Sequence, residues 1–269
     1  MATLLLGDCA EKLKEIPDDS IDMVVTSPPY DNLRQYKGYS FDFEKIAKEL
    51  VRVLKTGGVI VWVVGDATVD GSETGTSFRQ ALYFKELGLN LHDTMIWEKT
   101  GMMPTQDRYY AIFEYMFVFS KQKPKSMNFI CDHKTVNGGR IQQKDTGGCH
   151  RNAQGRRTKV DGFFARQYFR RRTNIWRMHI GKNTTIHPAI FPLQLAKDHI
   201  MTWSNEGDTV LDPFMGSGTA GVAAVVLNRE FVGIEIAAEY LEIAKHRIQN
   251  PDMDDVATES DDIFEEMDW

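Results

Sequence analysis

The 269 residues are 42% hydrophobic and 11% aromatic, enough to bury one sizeable core with room for a smaller appended module. No apolar stretch approaches the roughly 18 to 20 residues of a membrane span, and the opening MATLLLGDCAEKLKE lacks the charged start and long apolar centre of a secretory signal, so the expected location is the cytoplasm. The formal net charge of −6 conceals a basic middle, where residues 121–182 hold 16 Lys or Arg against Asp132, Asp145 and Asp161, and an acidic end, where residues 252–269 hold nine acids and no base.

In chain order, the apolar runs TLLLGD, IDMVVTS and VIVWVVGD read as strands, with FEKIAKELVRVLK as a helix between the last two. Phe41, Ile46, Leu50, Val53 and Leu54 recur at near-helical spacing, and Gly57 and Gly58 are expected to end that helix. This alternation predicts a parallel α/β sheet. The pattern returns near the C-terminus as DTVLDP, a helix over residues 218–227, FVGIE, and a helix over residues 237–249. Between the two halves the chain is rich in Gly, Asn, Arg and Gln with weak periodicity, and is expected to be an inserted module of loops. Trp62, Trp97 and Trp176 sit in apolar runs and read as core. The three cysteines, Cys9, Cys131 and Cys149, are too few for a disulfide framework, and the set Cys131, His133, Cys149 and His150 matches no standard zinc spacing, so no metal site is expected.

Thr26-Ser27-Pro28-Pro29-Tyr30 follows directly on the strand IDMVV. Two prolines stiffen the backbone and leave carbonyls free to accept from a ligand, at the strand end where α/β folds bind. Ser27 and the Pro28 carbonyl are placed to accept both hydrogens of a planar amino group while Tyr30 stacks on its ring. Taken alone, the same residues equally describe a strand that ends in a proline turn. A second group, Asp212-Pro213-Phe214-Met215-Gly216-Ser217-Gly218-Thr219, joins a strand to a helix, with glycines that allow close approach of a ligand to the helix N-terminus. Glu235 ends the next strand, where a ribose-binding acid belongs. The pattern GxxxxGK[ST] is absent, and Asp212 suits an ammonium group rather than a phosphate.

TSPPY and DPFMGSGT, with HPAIFP at residues 187–192 between them, resemble the amino-methylating DNA methyltransferases, and their order resembles the circularly permuted beta group. The resemblance covers about residues 4–247. It implies a class I, Rossmann-like α/β fold with a mostly parallel sheet and S-adenosylmethionine as cofactor. It divides the chain into a catalytic half (1–121), an inserted basic target recognition region (122–181), a cofactor-binding half (182–250) and an acidic tail (251–269). Asp212, Phe214, Gly216, Ser217, Gly218 and Thr219 would surround the methionine part, Glu235 would take the ribose hydroxyls and Asp8 the adenine. His187, Pro188 and Phe191 would close over the methionine end, and Ser27, Pro28, Pro29 and Tyr30 would hold the target base. Residues 108–121 resemble a strand lining the base pocket, although Phe113 stands before Glu114 where relatives often carry His. Arg170, Arg171 and Arg172, just after Phe163, Phe164, Tyr168 and Phe169, suit phosphate contact and stacking, the alternative being a plain solvated face.

The implied substrate is double-stranded DNA of a prokaryote or phage, with a cognate restriction endonuclease admitted as partner and monomer or homodimer left open. No cysteine flanks Pro28, against the covalent route to cytosine carbon 5. Within the family that the chain resembles, serine before the two prolines favours cytosine N4, with adenine N6 as the alternative. An RNA or protein-amide methyltransferase, or an inactive DNA-binding regulator, remain rivals. The acidic tail is expected either to occupy the DNA groove or to be a solubilising end.

Overall fold

The computed structural model describes residues 1–29, 41–100, 107–135, 141–143, 150–151, 157–158, 163–165, 168–179 and 191–251. Two compact units divide the chain, one of Met1–Asn128 with the chain from Asn174 onward, the other Phe129–Thr173. The boundaries differ from residues 122 and 181 because the flanks of the basic stretch pack on the larger unit. Lys125 N donates to Gly57 O (2.9 Å) and Asn128 N to Thr202 O (2.8 Å). Residues 175–178 join the large sheet. No helix among the described residues is long and apolar enough to cross a membrane.

The larger unit begins with β1 (Ala2–Leu6), α1 (Cys9–Lys12), β2 (Ile21–Thr26), α2 (Phe43–Val53) and β3 (Leu54–Val64). It continues through α3 (Thr76–Glu86), β4 (Asn90–Lys99), β5 (Phe113–Ser120) and β6 (Ile175–Met178). Last come α4 (Leu193–Trp203), β7 (Thr209–Asp212), α5 (Thr219–Val226), β8 (Glu230–Glu235) and α6 (Ala238–Gln249). One expectation is corrected: α2 stops at Val53, where Leu54 already has extended backbone (φ −71°, ψ 126°), so Gly57 and Gly58 lie inside β3 rather than capping the helix.

The strands form one eight-stranded sheet in the order β1-β8-β7-β2-β3-β5-β4-β6. β5 runs antiparallel to both its neighbours, and the other pairings are parallel. Every residue of β2 is buried, as a strand covered on both faces requires. Alternation along β3 separates two cores: Val59, Val61 and Val63 pack beneath α4, α5 and α6, and Ile60, Trp62 and Val64 beneath α1, α2 and α3. Trp62, Trp97 and Trp176 are all buried. The strand-order switch that makes this sheet a ligand platform lies at β7 and β2, register partners through Val210 with Met23 and Leu211 with Val24.

Gly218 sets the entry to α5. Its φ of +87° is left-handed, and a Cβ there would lie 2.8 Å from Ala244 Cβ and 3.0 Å from Ala244 Cα on α6. Gly218→Ala therefore combines backbone strain with overpacking against a helix, a destabilisation of about 2–4 kcal/mol. Chemical denaturation of the cofactor-free protein is expected to show it as a lower midpoint, and an unchanged midpoint would contradict this packing.

The smaller unit is corrected from loops to short antiparallel pairs. His133–Lys134 pairs with Phe169–Arg170, Ile141–Gln143 with Phe163–Ala165, and His150–Arg151 with Arg157–Thr158. The pairs are nested, so the two halves of this unit run antiparallel to each other. A two-stranded ribbon has backbone pairing without a fully buried face, which is why its residues show little apolar periodicity.

Candidate active site

The residues singled out by the two motifs sit at the carboxyl ends of adjacent strands. After β2, Pro28 is buried and Ser27 and Pro29 are half-buried. Next to it β7 ends at Asp212, whose side chain is 1% exposed. Asp212 Oδ1 accepts from Thr26 Oγ1 (2.7 Å) and from the amide of Phe214 (3.0 Å). One strand further, Glu235 at the end of β8 accepts from Gly216 N (2.9 Å) on Oε2 and from Ala237 N (2.8 Å) on Oε1. Beyond it, Gly7 N donates to Glu235 O (2.9 Å), which ties the end of β1 to that of β8. The next residue, Asp8, caps α1 by accepting from Ala10 N (2.9 Å) and Glu11 N (3.3 Å). Ser27, Asp212, Glu235 and Asp8 thus stand in that order along one edge.

Between Asp212 and α5 the chain makes a tight turn, with Gly216 at φ +54°, and Met215 N reaches Ile234 O (3.0 Å). Ser217 is held by Arg247 of α6, whose Nη1 donates to Ser217 O (2.6 Å) and Oγ (2.9 Å). Thr219 is buried as the first residue of α5. The Phe214 ring meets Trp62 and Phe41 edge-on at 6.3 and 5.6 Å. Phe191 is half-buried and packs on the core beneath α4, α5 and α6. Tyr30, His187, Pro188 and residues 252–269 of the tail lie outside the described residues.

Burial dominates the electrostatics. It raises the Asp212 carboxyl from 3.8 to about 7, the hydrogen bonds from Thr26 and Phe214 opposing and the Glu235 charge adding a little. Burial also raises Glu235, against its three backbone amide bonds. Cys9 is pushed up to about 12, first by burial and then by Asp8, so it stays a neutral thiol and is no nucleophile at physiological pH. Two buried acids at the ends of adjacent strands suit a cation and hydroxyl groups, and disfavour an unprotonated phosphate.

Sequence reading included Thr26 in the motif but gave it no role, whereas its hydroxyl locks the two motifs together. It also missed Lys99, paired with Glu114 across β4 and β5. Phe113 begins β5 and is 47% exposed. In the smaller unit Arg170 is exposed, Arg171 lies 4.2 Å over the Phe129 ring, and Arg172 Nε donates to Asp132 Oδ2 (2.7 Å). The described residues include no cluster of acids, His and Cys suited to a metal, and Cys149 lies outside them.

Comparison with known proteins adds four findings. The N6/N4 methyltransferase family model, described as DNA methylase, matches residues 21–246. The orphan methyltransferase M.BamHII of Bacillus amyloliquefaciens is 54% identical over 247 residues, covering 88% of this chain and 92% of the relative. TTHA0409 of Thermus thermophilus, solved in complex with S-adenosyl-L-methionine, is 27% identical with a TM-score of 0.62, over 93% of this chain and 96% of that one. The cytosine-N4-specific PvuII DNA methyltransferase shares the fold at 21% identity and a TM-score of 0.65, over 94% and 90% of the two chains.

Proposed function

The chain belongs to the N6/N4 family of DNA methylases, and from that premise we propose that it methylates the exocyclic N4 of a cytosine flipped out of duplex DNA. It is an amino-methylating DNA methyltransferase that uses S-adenosylmethionine. The residues at the strand ends fit that cofactor chemically. Asp212 would take its ammonium group, Glu235 its ribose hydroxyls and Asp8 its adenine amine. The turn of Phe214, Gly216, Ser217, Gly218 and Thr219 would back the methionine part, with His187, Pro188 and Phe191 closing over it. When bound, the cofactor supplies a methyl group activated by its sulfonium.

The protein's part is positioning. An exocyclic amine is a weak nucleophile because its lone pair is delocalised into the ring. Ser27 and the Pro28 carbonyl, accepting its two hydrogens, favour a pyramidal nitrogen with the lone pair free, while Pro29 stiffens the corner and Tyr30 stacks on the ring. The observation that carries the cytosine reading is Ser27 itself, a small hydroxyl at this corner beside Asp212, in place of Asp or Asn. Methylation of random duplex DNA followed by nucleoside mass spectrometry and sequencing of the modified sites tests it. N4-methylcytosine is expected, and N6-methyladenine as the product would overturn the reading.

The smaller unit supplies the DNA contact in this reading, since the major groove admits a two-stranded ribbon and residues 121–182 are strongly basic. Arg170 and Arg171 are its phosphate ligands, whereas Arg172 is already engaged with Asp132. Replacing Arg170 and Arg171 with Gln is expected to lower the slope of log affinity against log salt by about 0.9 for each phosphate no longer neutralised. An unchanged slope would put the phosphate track elsewhere.

A further inference from the structure

A largely buried ion pair at the same edge of the sheet takes no part in the chemistry so far. Lys99, the last residue of β4, donates to Glu114 Oε1 on β5, and the two side chains keep 17% and 11% of their exposure. Lys99 Nζ also lies 5.0 Å from the centre of the Trp97 ring. Removing two such charges from water commonly costs as much as their attraction returns, and an apolar pair of similar volume is often equally stable. Stability alone therefore gives little reason for a lysine and a glutamate among these aromatic and aliphatic neighbours.

Strand alternation shows where the pair faces. Met23 and Val25 of β2, Val61 and Val63 of β3, Met116 and Val118 of β5, and Met95 and Trp97 of β4 all belong to the core beneath α4, α5 and α6. Continued two residues towards the ligand edge, that face carries Ser27, Glu114 and Lys99. β2 and β5 are separated by two strand spacings, about 10 Å. Lys99 stands one strand further, on β4, but its ammonium reaches back to Glu114 on β5, and that width accommodates a six-membered ring with a hydrogen bond of about 3 Å to each flank.

We propose that Lys99 is a specificity-determining residue that donates to the O2 and N3 acceptors of the target cytosine, and that Glu114 is the positioning residue that orients it. The proposal rests on the cytosine reading at Ser27. With the amino group held at Ser27, a cytosine presents two further acceptors, N3 and then the O2 carbonyl, next along the same edge and turned away from Ser27. A lysine ammonium has three donors and no acceptor, so it matches both. An adenine held the same way offers one ring nitrogen beside a C–H, and leaves a donor unanswered. Lys99 binds and selects, while the methyl transfer itself needs no proton from it.

The test compares wild type, Lys99→Met, Lys99→Arg and the double variant Lys99→Met/Glu114→Leu on an oligonucleotide duplex carrying the site that wild type modifies. KM for duplex and kcat are measured, together with the cofactor dissociation constant and the thermal midpoint. Lys99→Met is expected to raise KM about tenfold or more, the usual worth of a base-edge hydrogen bond, with cofactor binding unchanged. Lys99→Arg is expected to recover part of that loss. The double variant restores an apolar, self-consistent packing, and its KM is expected to stay high even where its thermal midpoint matches or exceeds wild type. A double variant with wild-type KM would overturn the proposal, because the pair would then be structural. N6-methyladenine as the wild-type product would overturn the cytosine reading and this proposal together. N4-methylcytosine with wild-type KM in the variants would overturn the lysine assignment alone.

Discussion

Asp212→Asn is expected to weaken S-adenosylmethionine binding by about a hundredfold and to abolish its dependence on pH. Asp212 is buried at the end of β7, and its carboxyl sits at about 7 because burial disfavours the charge. In the free protein near neutral pH a substantial share of the molecules therefore carries a proton on this group. An ammonium group beside it favours the charged form, so binding expels that proton. Wild-type affinity is then expected to rise by up to tenfold per unit as pH increases towards about 7, and to level off above it. Stability of the free protein runs the other way. A folded-state pKa above the unfolded 3.8 means that the contribution of Asp212 is present below that value and lost as pH rises to about 7. Asparagine keeps an oxygen for Thr26 and Phe214 yet cannot ionise, and losing one partner of a buried charge pair is worth several kcal/mol, in line with that hundredfold. Calorimetry in buffers of different ionisation enthalpy reads both the affinity and the released proton. The same pH profile in wild type and Asp212→Asn would sink the assignment.

Pro28→Ala and Tyr30→Ala should produce the opposite separation, a loss of turnover of two orders of magnitude or more with nearly unchanged cofactor affinity. Pro28 is buried just after the end of β2, and alanine there gives the chain back a backbone amide donor and a torsional freedom that proline denies it. A carbonyl that wanders by a fraction of an ångström no longer aims the amine, and misplacement of about 1 Å can cost a hundredfold. In the proposed reading Tyr30 stacks on the extruded base, so its loss would leave that base unsupported. Single-turnover kinetics with saturating cofactor isolates this step. Normal turnover by Tyr30→Ala would show that the base is held elsewhere.

Both motifs were legible because each follows a short apolar run that ends abruptly at prolines or glycines, the one-dimensional signature of a buried parallel strand and its ligand-facing corner. Their adjacency was not legible. Nothing in the sequence announces that Thr26 and Asp212, 186 positions apart, share a hydrogen bond. Helix α4 went unread because its buried face is partly polar: Asp198 accepts from Gln194 (2.7 Å), and the His199 ring lies against Trp176 at 4.5 Å. Helix α3 was hidden for the converse reason, with Phe78 and Leu82 exposed on its outer side. The compact unit Phe129–Thr173 is shorter than the basic stretch of residues 122–181 because Lys125 and Asn128 are anchored through backbone groups, which carry no hydropathy.

The pairing of β2 with β7 also dictates the order in which this molecule can fold. As the chain leaves the ribosome, β2 and β3 can pair early, but the other edge of β2 must wait for roughly 180 further residues before β7 arrives to cover it. Until then a fully buried strand of the finished fold, Ile21–Thr26, presents unpaired backbone groups to any neighbouring chain. The nascent N-terminal half is consequently the stage most exposed to aggregation and to capture by chaperones, and the centre of the sheet is among the last parts of the molecule to be completed.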